Sequence, residues 1–245
     1  MQDFWSFFAF PLNLILAALW AICWGWLWKK RPDLTVVRFL LSPAATISAI
    51  LLLLAGCLWI GLTGDRSFSE SILFVAVLIY VQTVIFLVTL RGWRTVNGHI
   101  RWRFVLIHAG LLLAVGSGFW GAPDSSELRV ALGKGEETRT AYTMDGGVNG
   151  LGYDLKMTDY ETEFSDDRKP IHYEALISID GQSPVSVTVN HPYSVKFGED
   201  IYLASVSEQY CILQIVREPW RYFALSGIIM LLVGAFMLFI KGPRR

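Results

Sequence analysis

Four histidines are the residues best equipped to do chemistry in this 245-residue chain, and one of them stands in an unusual place. His108 lies inside RFVLIHAGLLLAVGSGFWG, residues 103–121, a run of apolar and small residues long enough to cross a bilayer. At ~1.5 Å rise per residue it would sit about 7 Å inside the apolar stretch. A polar side chain in lipid is expensive and normally faces other helices with a partner. Three readings follow from the residue type. His108 could hydrogen-bond across helices, to Gln82 or Tyr80; it could ligate a metal or haem iron, for which a neutral imidazole is a common axial ligand; or it could relay protons. The other three read as structural: His99 in an Arg-rich loop, His172 at the opening of a strand, and His191 in a Val-Asn-His-Pro turn. Their spacing carries no metal signature.

Other reactive constellations are missing. Cys23, Cys57 and Cys211 form no CxxC, which argues against a thiol oxidoreductase or a disulfide framework and leaves all three as small buried apolar residues. There is no P-loop, HExxH or GxSxG.

The elements that must position His108 are membrane helices. Hydrophobic residues make up 53% of the chain. Five windows are long and uncharged enough to span ~30 Å of hydrocarbon: Pro11–Trp28, Pro43–Gly64, Ser69–Leu90, Phe104–Gly121 and Tyr222–Ile240. The first has no basic stretch before it and no small-residue cleavage site after it, so it reads as a retained helix rather than a signal peptide. Trp24, Trp26 and Trp28 read as an interfacial belt. Gly110, Ala114 and Gly118 recur every four residues, a small-xxx-small face that lets another helix approach closely, with His108 on an adjoining face.

Charge orders these spans. Lys29, Lys30, Arg31 and Arg38 lie between the first two, Arg91, Arg94, Arg101 and Arg103 between the third and fourth, and Lys241, Arg244 and Arg245 after the fifth. The positive-inside rule places those segments in the cytoplasm, and the N-terminus and residues 122–219 outside. The chain thus reads as a multi-pass membrane protein. The outer segment carries 17 acids against 8 bases, which argues against nucleic acid as a partner.

Residues 122–219 read as strands at Leu128–Leu132, Tyr153–Phe164, His172–Ile179, Val185–Val189, Asp200–Val206 and Cys211–Val216, with turns at Gly146-Gly147, Asp180-Gly181 and Gly198. The expected architecture is a block of four transmembrane helices over residues 1–121, an extracytoplasmic all-β domain over 122–219 (a small antiparallel sandwich or open barrel), and a last transmembrane helix with a short basic tail over 220–245.

Several stretches resemble one family. Ile107-His108-Ala109-Gly110, running on to Gly116, Gly118 and Gly121, looks like the His-x-Gly core helix of ResB (CcsB-type) cytochrome c biogenesis proteins of System II. Leu128-Arg129-Val130 with Gly135-Glu136, Leu151-Gly152-Tyr153 through Asp159-Tyr160-Glu161, Val189-Asn190-His191-Pro192-Tyr193 with Gly198, and Glu218-Pro219 before a Gly-rich final span are similar to the segments that follow in that family. The resemblance covers roughly residues 40–240. The helix at Pro11–Trp28 is additional to the family's usual core, and the outer domain is shorter than in many members.

The resemblance implies a subunit of a cytochrome c haem lyase complex, with no independent activity of its own. Working with a CcsA-type membrane haem-handling subunit, it would move haem b across the bilayer and present it to apocytochrome c. His108 is the position matching the family's membrane haem histidine, so it is the candidate ligand of haem iron, with the second axial ligand expected from the partner subunit. The glycines would leave a groove for the porphyrin. Two other functions stay open: a haem-binding quinone oxidoreductase-like subunit, which would ordinarily need more than one intramembrane histidine, and a non-catalytic anchor displaying a β-domain.

Overall fold

The computed structural model describes residues 7–64, 66–144, 146–164, 170–207 and 209–241. Among the described residues, five helices are long and apolar enough to cross a membrane: α1 (Leu12–Lys30), α3 (Pro43–Thr63), α4 (Ile72–Gly92), α5 (Trp102–Gly121) and α6 (Arg221–Lys241). The chain is a multi-pass membrane protein. A short α2 (Thr35–Leu40), absent from the sequence reading, fills the first basic link. The boundaries have local causes. Ser42 and Ser71 cap α3 and α4, their hydroxyls accepting from the amides of Ala45 and Phe74, and Pro43 occupies the first turn of α3, where its missing N–H costs nothing. Gly64 closes α3 at φ 68°, a conformation an L side chain rarely adopts.

The chain divides into two units, residues 1–123 with 220–245, and residues 124–219. In the helical unit, α5 and α6 pack backbone to backbone. A β-carbon on Gly110 would fall 2.7 Å from the Gly227 carbonyl oxygen, and one on Gly227 2.6 Å from the Ala114 amide. Gly118 has open space and takes no part. A second cluster joins Leu40, Ala45, Ala49, Val81, Val84 and Leu87, with Trp24 and Trp28 packed against it. Those two tryptophans therefore serve helix packing, and only Trp26 of the expected belt is exposed. Cys23 and Cys57 are also exposed on their helices, so among the cysteines only Cys211 is buried as expected.

The described residues of the second unit form one antiparallel sheet of eight strands: β1 (Ser126–Leu132), β2 (Glu137–Thr143), β3 (Val148–Phe164), β4 (Pro170–Ile179), β5 (Val185–Thr188), β6 (Tyr193–Lys196), β7 (Glu199–Val206) and β8 (Cys211–Arg217). The order across the sheet is β5-β4-β3-β2-β1-β8-β7-β6. The first and last strands pair along their whole length, from Ser126↔Arg217 to Leu132↔Cys211. Alternation drives the burial. Leu128, Val130 and Leu132, then Tyr153, Leu155 and Met157, and Leu213 and Ile215 enter one core that also takes Val187 from β5 and Ile201 from β7. A single core shared by both ends of the strand order is that of a curled sheet, the open-barrel alternative. Asp180 and Gly181, at φ 49° and 70°, make the tight turn after β4, closed by the Gln182 amide donating to the Ile179 carbonyl.

Candidate functional site

His108 sits in the second turn of α5, half-buried. Its Nδ1 is 2.9 Å from the Phe104 carbonyl oxygen one turn earlier, and its ring stacks on Phe104 with centroids 3.9 Å apart. Phe104 is held in turn. Its ring lies over Gly92 at the end of α4, where a β-carbon would have no room, and the Arg101 guanidinium lies 4.9 Å from its centroid. A carbonyl can only accept, so Nδ1 carries the proton and Nε2 keeps its lone pair. Nε2 has no hydrogen-bond partner among the described residues.

The interhelical bond that the sequence allowed is not made. Gln82 is buried, and its Oε1 accepts from the Trp120 indole at 3.0 Å. Asn13 of α1 reaches the same corner, its amide donating to the Trp120 carbonyl at 2.8 Å. Tyr80 turns to α3, within 2.8 Å of Ser48 Oγ and donating to the Ala45 carbonyl at 3.1 Å. Trp20 of α1 donates to Thr83 at 3.2 Å. These bonds tie α1, α3, α4 and α5 together without His108. Asn13, Gln82, Thr83 and Trp120 had a visible signal: each is a polar group in an apolar span, and such groups seek partners.

The glycine groove also differs from expectation. Two positions at ~100° per residue put His108 and Gly110 on nearly opposite sides of α5, not on adjoining ones. The backbone of α6 fills the Gly110 side. Room for a flat macrocycle therefore has to be sought on the His108 side.

The remaining histidines lie on other elements. His99 and His191 are exposed in loops, and His172 lies in β4 opposite Glu163. No group of three or more His, Cys, Asp or Glu side chains that could hold a metal ion occurs among the described residues. The β unit has its own polar cluster. Glu199, 1% exposed, accepts from Arg217 Nε at 2.6 Å and pairs with Lys196 at 3.2 Å. Burial, followed by the nearby Glu199, holds the Tyr153 hydroxyl well above the usual phenol range.

The model of the ResB-like family matches residues 97–210, from the loop before α5 to the start of β8. This stretch is ResB-like. The match bears out the resemblance read from the sequence over those residues, a narrower span than the roughly 40–240 read there, and it includes His108 and most of the β unit. No curated protein sequence matches the chain. The solved structure of the cytochrome c heme lyase CcmF aligns with 80% of this chain at 15% identity and a TM-score of 0.40. The chain spans about a third (34%) of the length of that protein.

Proposed function

We propose that the protein is an accessory subunit of a System II cytochrome c maturation complex, with residues 122–219 outside the plasma membrane. Haem b is its cargo. His108 Nε2 supplies one axial ligand to the iron, and a CcsA-type partner supplies the other. Haem, when bound, brings the iron porphyrin that is attached to apocytochrome c. The chain's own residues hold and orient it.

The observation that supports this reading is the state of the imidazole. Its Nδ1 is committed to Phe104 and its Nε2 is uncommitted, on a membrane helix of a ResB-like segment. A donor bond from one ring nitrogen to a carbonyl fixes the tautomer and the orientation of the ring, which is how metal-bound histidines are usually supported. Phe104 braces the ring face. The residues present thus fit one axial bond, and a six-coordinate haem needs a second from elsewhere.

The test is His108→Ala in the complex purified with its partner subunit. Haem stoichiometry and the visible spectrum should fall while the subunits still co-purify, and cytochrome c yield should drop with them. Unchanged haem content, spectrum and yield would remove haem ligation from this residue.

A further inference from the structure

The β unit has two unlike ends. Following the register, Lys196↔Glu199, Glu199↔Arg217, Ser126↔Arg217, Leu128↔Thr143 and Tyr142↔Val148 lie along one end of the sheet. That end carries four large apolar side chains turned outward: Tyr142 at 52% exposure, Met144 at 66%, Val148 at 62% and Phe197 at 66%. The opposite end is built from Lys134-Gly135-Glu136-Glu137 and from Ser207 and Gln209, beside Tyr210. The apolar tips are held out by their turns. The Thr143 amide donates to the Gly147 carbonyl at 2.8 Å, and the Gly146 amide returns to the Thr143 carbonyl at 3.0 Å, leaving Met144 at the crest. Phe197 occupies the β6–β7 turn beside Gly198, whose φ is 74°.

Single exposed apolar residues need no explanation, but four gathered at one rim, each more exposed than Val189 and Tyr210 (44% each) elsewhere in the unit, do. From this end of the sheet the covalent chain leads into two helices. Ser126 follows Gly121, the last residue of α5, by five steps, and Arg221, the first of α6, follows Arg217 by four. A fully extended backbone covers about 3.5 Å per residue, so these links reach at most ~17 Å from the ends of two membrane-crossing helices. We propose that the β2–β3 and β6–β7 tips, through Tyr142, Met144, Val148 and Phe197, insert into the interfacial layer of the bilayer. Aromatic and long apolar side chains at headgroup depth are the usual means of such anchoring. The ligand is a lipid surface of either charge. Lys196 is already paired with Glu199, so the contact is apolar rather than electrostatic.

The experiment uses the full chain in phosphatidylcholine liposomes, with Cys23→Ala and Cys57→Ala as background. Nitroxide labels are placed at Met144→Cys and Phe197→Cys, and at Glu137→Cys as the far-end control. Labels on the rim should collide with oxygen more often, and with a water-soluble nickel chelate several-fold less often, than the control label. Added anionic lipid or salt should change neither ratio. Folding of each variant is checked by the unreactive thiol of Cys211, buried in the sheet core. As an independent readout, Met144 of the unmodified chain should resist oxidation by hydroxyl radicals generated in the water phase. Nickel access at the rim equal to that at Glu137→Cys, or rapid oxidation of Met144, overturns the proposal. Protection that arises only when a partner protein is added also overturns it and assigns the rim to protein docking.

Discussion

Gly110 of α5 and Gly227 of α6 touch through their backbones: a β-carbon on the first would stand 2.7 Å from the carbonyl oxygen of the second. Helices in lipid lack a hydrophobic force to drive them together, so close backbone approach and the dispersion it recovers hold such a pair. Gly227→Leu should therefore separate α5 from α6, at about 1–3 kcal/mol or more for a packed site with no room to relax. Gly118→Ala, with open space around it, should be silent. Thermal unfolding in detergent, read on the two variants side by side, checks the contrast.

His108 makes its hydrogen bond within its own helix. His108→Ala should consequently change the melting temperature of the isolated subunit little, since a bond of this kind is worth about 0.5–1.5 kcal/mol net and the Phe104 carbonyl keeps its helical partner. A large loss of stability would mark the residue as a packing element instead. The measurement is the melting curve of the subunit without haem.

Gln82 carries the opposite expectation. Gln82→Leu preserves bulk but strands the Trp120 indole N–H in an apolar corner, at a cost of about 1–3 kcal/mol. Trp120→Phe in the same background removes the stranded donor and should recover part of the loss. A double-mutant cycle on thermal unfolding measures the coupling.

Alkali should loosen the β unit for a specific reason. Burial pushes the Cys211 thiol up to about 12 from an ordinary 9.0, and burial with Glu199 beside it raises the Tyr153 phenol as well. Both groups are raised in the folded chain, so the unfolded chain gives up protons first. Their contribution to stability is whole below pH 9 and fades as pH climbs through 9 towards 12. Cys211→Ala should give a flatter decline over that window, in near-ultraviolet circular dichroism of the intact protein.

The spanning helices were legible because hydrocarbon thickness sets both their length and their composition, and the observed helices overlap all five windows. Strands that alternate into the core were legible too: Val130, Leu155, Ile177 and Leu213 announce their face at period two. Glu137–Thr143 was not, because only Ala141 of β2 is buried and its charges and threonines resemble a loop. Tyr193–Lys196 is four residues long and follows a proline turn, too short to show a period. At the site, the histidine could be named but its surroundings could not. The Gly92–Phe104–His108 stack joins two helices, and no spacing within α5 reveals that a glycine at the end of α4 makes room for it. Gln82 was recognisable as a polar residue needing a partner, yet which of several neighbours it meets depends on how the helices are rotated.

Ser126 and Arg217 are register partners in the middle of the sheet, so the β unit begins and ends at adjacent points. A module whose two ends meet can be spliced into a helix–turn–helix without prising its arms apart. The pair α5 and α6 would accept a short loop, this curled sheet or a much larger insert with equal ease, and the size of the inserted β unit is free to vary while the helical hairpin stays the same.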